Sequence, residues 1–455
     1  MLGLFILKFS QQSKLTNGAL ALALSPALTP DGIIDNPQFF AGYALYPQIL
    51  ARSLLVLADI TATRYFKPVP VTLRDPVLSA QGNQLRAEVF SACNSVYARL
   101  DLLQQGFDGQ ILRGTTNVDI GISLRQALTQ VNYKDKLHLN IGNQGLATHH
   151  IQKQDEDVIG IKAIIERPVA MPDRWIRALG NVAEIHTKMV AVFTVTGIQA
   201  QTFIAGLPTV TSKHQSSWLV PSNTGIKLMA QGGLDSVYIS GLHRLSALKR
   251  LTTNVKRLTF YQLASGEQGP CMVEVELDGA RLTLSLTAQP WQGYSGEGAL
   301  LELLAPKQQL QNAQLVQSIL QFDSLIDLTQ LAIKTGLDTQ RINSSLAYLA
   351  VSGKLGFDVH QNGYFHRQLP EDPNRLIKDN PRLKSAYKLI ECIDRVDENT
   401  WMVHSNNEDY RVRFVRQNSK MTSQCTCSWY LNHQLKKGPC KHILAVQIKE
   451  NIYEC

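Results

Sequence analysis

The chain has 455 residues, 44% apolar, 18% charged and 7% aromatic, which is too long for a single core and fits two to four globular domains. This composition excludes disordered, collagen-like and disulfide-scaffold proteins, and with no run of about 18 apolar residues it excludes a membrane-spanning helix. The net charge of +8 lies between Arg411 and Lys449, a segment with eight cations and no Asp or Glu, while the other 37 basic residues balance all 37 acidic ones.

The opening stretch Met1–Leu7 is apolar, but no basic residue precedes it and Lys8 follows without a small-residue cleavage pattern, so it reads as a strand of the fold. From there to about Leu303 no linker, repeat or low-complexity tract interrupts the chain. Helical periodicity at Tyr46–Ile60 and Leu124–Val131 alternates with strand-like runs at Lys136–Gly142, Met189–Val195, Ser236–Ile239 and Met272–Leu277. Arg281–Leu286 alternates leucine with Arg, Thr and Ser, the pattern of a half-buried strand. Residues 1–303 therefore read as a mixed α+β region, divisible into two subdomains with a seam near Ile165–Arg174.

From Gln314 the pattern changes. Gln314–Phe322 and Leu328–Thr335 carry apolar residues three and four apart, Gly336 supplies a turn, and Asp338 or Thr339 caps a third helix that runs to about Val351. Two β-type runs, Leu355–Val359 and Tyr364–Arg367, then flank Asn362-Gly363, a strong hairpin signal. Three helices and a hairpin predict a winged helix-turn-helix over residues 304–370. Its five basic and four acidic residues leave +1, and the recognition helix offers Gln340, Arg341, Asn343 and Ser344 with one cation. The unit therefore suits a joint between domains or proteins as well as a DNA reader. Pro370, Pro373 and Pro381 lead into a last domain, 371–455.

Four cysteines are scattered (Cys93, Cys271, Cys392, Cys455) and three cluster near the end, which points to a reducing cytoplasm and a metal. Cys425, Cys427, Cys440 and His442 form the pattern Cys-x-Cys, twelve residues, Cys-x-His. Three thiolates and an imidazole suit tetrahedral Zn²⁺, and four protein ligands leave no open position, so one zinc ion is expected in a structural role. Tyr410–Val415 and Thr422–Cys425 read as strands, Gly438-Pro439 forces a turn, and Ile443–Glu450 reads as a helix, a ββα unit over about 410–450. His433 is a competing fourth ligand; His442 is preferred because it completes the paired pattern. Arg411, Arg413, Arg416, Lys436, Lys437 and Lys441 surround this motif and are the candidate contacts to nucleic acid or to an acidic partner. Trp429 and Tyr430 serve either as stacking platforms for bases or as a small core over the metal, and the core is favoured for Trp429.

The string CTCSWYLNHQLKKGPCKH resembles the SWIM zinc finger, with all four ligand positions matched and Ser428 where members often carry proline. RDPVLS (Arg74–Ser79), FSACNSVYARLDL (Phe90–Leu102), GTTNVDI (Gly114–Ile120), MPDRWIRAL (Met171–Leu179), WQGYSGEG (Trp291–Gly298) and YFHRQLP (Tyr364–Pro370) extend the likeness to a bacterial SWIM zinc-finger family, from roughly Phe39 to Ile448. The resemblance implies zinc binding, and DNA binding or protein interaction. It also implies genomic association with a MoxR-type AAA+ ATPase and a von Willebrand factor A domain protein.

No constellation in the first 300 residues assigns a catalytic residue. Gly293–Gly298 lacks the Lys-Ser/Thr of a phosphate-binding loop and reads as a turn around Trp291 and Tyr294. Gly114–Asp119 reads as a capped turn, Cys93 as a small buried thiol without a paired base, and His149-His150 as a surface loop. Asp75, Glu88, Asp101, Asp108 and Asp119 are numerous enough to include a carboxylate pair, and Glu297 is flanked by glycines. The expected protein is a cytoplasmic, multidomain α+β zinc-finger protein that binds nucleic acid or acts as an interaction module. A protein adaptor of the ATPase system without nucleic-acid binding is the alternative, and a hydrolase in residues 1–303 the third reading.

Overall fold

The computed structural model describes residues 7–8, 14–16, 19–22, 27–29, 32–34, 38–65, 76–117, 120–142, 168–169, 173–209, 216–294, 307–367, 369, 381–405, 408–417, 420–435, 438–450 and 452. Among these, no helix is long and apolar enough to cross a membrane.

Helix Pro47–Ala62 shows how the first region is built. Proline at its first turn presets the backbone, and its Leu, Ile, Val and Ala residues are buried almost all round. It packs against strands Gln84–Phe90 and Val96–Leu103 and the 3-10 helix Leu242–Leu251. At the rim Arg52 donates to Thr253 and Asn254, and Arg250 pairs with Asp59. The strand predicted at Arg281–Leu286 is Ala280–Leu286, and all seven residues are buried. The alternation is real, but the strand is central in a sheet of ten: its polar side, Arg281, Thr283 and Ser285, is covered as well as its leucine side. It pairs antiparallel with Val96–Leu103, from Ala280 opposite Leu102 to Leu286 opposite Val96, so a single sheet runs through the region. The region also holds a five-stranded sheet that includes Phe107–Ile111, Gln38–Ala44 and Leu137–Gly142, and a three-stranded sheet of Ser216–Ser222, Gly225–Met229 and Val237–Ser240.

After these sheets come helices Lys307–Ile319, Leu328–Thr335 and Thr339–Val351, then the hairpin Leu355–Asp358 and Gly363–His366. The local signals explain each boundary. Asp327 and Asp338 accept N-terminal backbone N–H groups, Gly336 ends a helix at φ +69°, and Asn362 takes φ +49° in the hairpin turn. The first helix starts seven residues before the expected Gln314, in a stretch whose glutamines mask the period.

Two contacts fasten this unit to the sheets. Helix Asp173–Thr187 lies against Thr339–Val351 so closely that a Cβ on Gly180 would stand 2.7 Å from the Val351 carbonyl oxygen. Gly180→Ala is expected to cost about 1–3 kcal/mol by overpacking, read as a lower thermal midpoint without loss of secondary structure. The second contact is ionic and buried. Asp358, at the end of the first hairpin strand, lies 2.8 Å from Arg86 and 3.2 Å from Arg99, and also pairs with Arg281. Asp101 pairs with the same three arginines at 2.9, 2.9 and 3.0 Å. Arg367, just past the hairpin, pairs with Glu88, and the Arg86 guanidinium sits 3.9 Å above the Phe365 ring. Burial pushes the Asp358 carboxyl up, and Arg99, Arg86 and Arg281 together overcome it, leaving it below the usual carboxylate range.

The C-terminal part is an antiparallel meander, Ile393–Arg395, Thr400–Ser405, Glu408–Gln417 and Lys420–Cys425, with helices Pro381–Leu389, Ser428–His433 and Lys441–Glu450. Ile393, Trp401, Val403, Val412 and Phe414 form the buried face of the sheet. Against it lies Lys441–Glu450, whose residues from His442 to Ile448 are all buried because helix Pro381–Leu389 covers it as well.

Candidate metal centre

Strand Lys420–Cys425 delivers the first ligand at its last residue, and Thr426 turns the chain so that Cys427 faces the same point. Helix Ser428–His433 begins there, with the Cys427 sulfur accepting from Tyr430 N–H. Pro439 precedes Cys440, and helix Lys441–Glu450 carries His442 back under the strand. One donor atom from each of Cys425, Cys427, Cys440 and His442 lies within 4.8 Å of all the others, and all four residues are buried. His442 Nδ1 stands 3.8 Å from Cys425 Sγ and 4.0 Å from Cys440 Sγ. A tetrahedron with bonds of about 2.1–2.3 Å has edges of about 3.4–3.8 Å, so a small contraction of this cluster accommodates one Zn²⁺.

The surroundings suit thiolates. Backbone N–H groups of Cys427, Tyr430 and Ile443 donate to Cys425, Cys427 and Cys440, each at 3.5 Å. Hydrogen bonds from Cys425 and Cys440 push the Cys427 thiol down, while Cys425 is pushed up chiefly by its contact with Cys427. Three thiolates this close repel one another, and a divalent cation is the group that lets them coexist. Tyr410 stacks on the His442 ring at 4.1 Å and 18°, shielding it, and its hydroxyl donates to Glu408. The Arg382 guanidinium lies 4.6 Å over Trp429 and donates to the Pro439 carbonyl at 3.0 Å. Trp429 is therefore packed, as favoured, and His433 meets it edge-on at 4.5 Å outside the ligand set.

The candidate contact cations separate. Arg411 and Arg413 are exposed on the outer face of strand Glu408–Gln417, opposite Met402 and Thr400. Lys441 is half-buried and donates to Ser405. Lys436, Lys437 and the Arg416 side chain lie outside the described residues. The outer face also holds acids: His404 lies between Asp409 at 2.6 Å and Asp394 at 3.1 Å, and these bonds raise its pKa.

In the first region Glu88 and Asp101 are taken up by arginines, and Asp108 is exposed. Asp75, Asp119, His149, His150 and Glu297 lie outside the described residues. The arginine–aspartate network escaped the sequence reading because its members are scattered from Arg86 to Asp358; the alternating Arg281 strand was the one available hint.

Comparison with known proteins bears directly on this site. Residues 407–450 match the family model of the SWIM zinc finger. Among solved structures, the crystal structure of Proliferating Cellular Nuclear Antigen from Entamoeba histolytica is similar at a TM-score of 0.34 and 10% identity, over 55% of this chain and 99% of that one. A score of that size does not establish a shared fold. No curated protein matches the chain.

Proposed function

We propose that this chain, which carries a SWIM zinc finger at residues 407–450, is an interaction module in which zinc is structural and the outer face of the four-stranded sheet contacts nucleic acid. The observation that carries this reading is the burial of the finger helix: with His442–Ile448 enclosed and Lys449 at its end donating to the Ile393 carbonyl, Arg411 and Arg413 are the cations that the sheet exposes among the described residues of the finger. Arg416, Lys436 and Lys437 belong to the same segment and complete the proposed phosphate-binding set, with Lys441 at its margin.

Residues 304–370 are read as a winged helix-turn-helix, supported by the order of three helices and a hairpin and by the Asp338 cap. Asp358 ties its hairpin to the sheets, which favours a role as a joint, with boundaries placed at 303/304 and 370/371. A second reading, an adaptor for a protein such as an AAA+ ATPase or von Willebrand factor A partner, is favoured by Asp394 and Asp409, which give the outer face mixed sign.

The test is fluorescence anisotropy of the zinc-loaded full chain on duplex and single-stranded DNA across a salt series. Contacts to five or six phosphates predict a log–log slope of about −4 to −5, and Arg411→Ala or Arg413→Ala is expected to reduce it by about 1 each. No binding at low salt would reject nucleic acid as the partner and leave the adaptor reading.

A further inference from the structure

We infer that Tyr410 is a positioning residue for the metal. Its ring, steadied by Glu408, orients the His442 imidazole in place of the hydrogen bond that a metal-bound histidine ordinarily donates through its second nitrogen. The inference rests on the zinc centre alone and is independent of whether the sheet contacts nucleic acid.

A histidine ligand has two side-chain torsions to fix before its lone pair points at the metal. Proteins usually fix them by bonding the nitrogen that does not ligate to a carboxylate or a backbone carbonyl, and loss of that partner typically weakens metal binding about 10- to 100-fold. In this finger Nδ1 is the ligating atom, since it faces Cys425 Sγ at 3.8 Å and Cys440 Sγ at 4.0 Å. Nε2 is therefore the atom that would carry the orienting bond. His442 is 3% exposed, and among the described residues no group bonds its Nε2. The ring is instead met by a nearly parallel one: Tyr410 stacks on it with centroids 4.1 Å apart and planes 18° from parallel. Coordination draws electrons from an imidazole, so the negative face of a phenol suits the metal-bound ring better than the free one. Stack and metal thus reinforce each other.

An orienting group must itself be held, and Tyr410 is held at both ends. Its hydroxyl donates to Glu408, on the same strand. Its backbone lies opposite Val403 in the sheet. The next residue, Arg411, is bonded twice to Thr426, which sits between the first two ligands. Arg411 N–H donates to Thr426 Oγ1 at 3.0 Å, and Thr426 N–H donates to the Arg411 carbonyl at 3.2 Å. Strand Glu408–Gln417 is thereby locked to the Cys425–Cys427 turn beside the residue that stacks. The register continues with Val412 opposite Cys425. The stack therefore ties the Cys-x-Cys half of the site, through its neighbouring strand, to the helix that carries His442.

The test uses the full chain with two substitutions. Tyr410→Phe keeps the ring and drops the Glu408 bond, while Tyr410→Leu keeps apolar bulk and drops the ring. Zinc affinity is measured at neutral pH by competition with a chromophoric chelator, and the ligand sphere by the visible spectrum of the Co²⁺-loaded chain. Tyr410→Leu is expected to bind zinc about 10- to 100-fold more weakly and to shift the cobalt bands. Tyr410→Phe should stay within a few-fold of the parent, with its bands unchanged. One further measurement needs no variant: in the zinc-loaded parent the His442 ring protons should resonate upfield, under the ring current of Tyr410. Equal affinity in Tyr410→Leu and the parent, or equal losses in both variants, would overturn the inference. So would weaker binding by Tyr410→Leu with the parent's cobalt spectrum, or His442 ring protons at their ordinary positions. A parent chain that takes up no zinc would remove the metal centre itself, a failure seen before any variant is made.

Discussion

Cys427→Ser is expected to release the zinc ion and unfold the chain from about Pro381 onward, while the sheets and the three-helix unit stay folded. The cause is the place of the site in its core. Cys425, Cys427 and Cys440 are packed in one apolar cluster with Trp401, Val412, Phe414, Ile443 and Leu444, so the ligands are also core residues. Zinc contributes about 10–16 kcal/mol of apparent binding energy in finger peptides, which exceeds or matches the net stability of about 5–15 kcal/mol typical of a whole domain. His442→Ala should behave in the same way, because Nδ1 is the donor that faces two of the sulfurs. Metal analysis combined with hydrogen exchange decides: full zinc occupancy in both variants would discard the ligand set. Protection lost throughout the chain would instead mean that the finger and the preceding regions unfold together.

Asp358→Asn is expected to be the most damaging single substitution outside the zinc site. In the folded chain two carboxylates, Asp101 and Asp358, are shared among Arg86, Arg99 and Arg281, with Asp101 and the first two arginines at 0–1% side-chain exposure. Removing one carboxylate leaves three guanidiniums around a single charge, and breaking a buried pair costs about 3–5 kcal/mol. A denaturant titration should show the loss as a shifted midpoint. The pH dependence follows from the direction of the shift. The Asp358 carboxyl titrates below its unfolded value of about 4, so its contribution is complete above that value and fades as pH falls toward its folded pKa. Stability of the parent chain should therefore fall more steeply below pH 4 than that of Asp358→Asn. Parallel curves would mean that the pair is not what makes the hairpin contact stable.

The zinc site was legible in the sequence because its geometry is local. Cys-x-Cys and Cys-x-His each place two donors on one turn of chain, so pairing of the motifs follows from spacing alone. The caps were legible for the same reason: Asp338 and Asn362 act on backbone within three residues of themselves. Helix Ser428–His433 was not, since its cap is the sulfur of a metal ligand rather than a Ser, Thr, Asp or Asn. Strand Thr400–Ser405 was overlooked despite a readable alternation, with Trp401 and Val403 inward and His404 outward. The ionic network was beyond reach for a different reason. The pairs to Asp358 lie 77 to 272 positions apart, and nothing in the local pattern of Arg86 or Asp358 distinguishes a buried charge from a solvated one. The basic segment makes the same point in reverse. Eight cations in one segment of sequence do not make a uniform surface, because folding sets Asp394 and Asp409 on the face that carries Arg411 and buries most of the helix that carries Lys441.

The pairing of strand Ala280–Leu286 with Val96–Leu103 also sets an order of assembly. Arg281 and Asp101 are 180 positions apart, so the central seam of the large sheet must wait until more than half of the chain has left the ribosome. Arg86 and Asp358, 272 positions apart, meet later still. Contacts at such separation carry a large loop-closure cost and close slowly, leaving strand Val96–Leu103 as a transient open edge until Ala280–Leu286 joins it. The finger, whose four ligands span 18 residues from Cys425 to His442, has no such wait. The fastest-closing segment is thus made after the slowest-closing one, whose early strands wait longest for their partners.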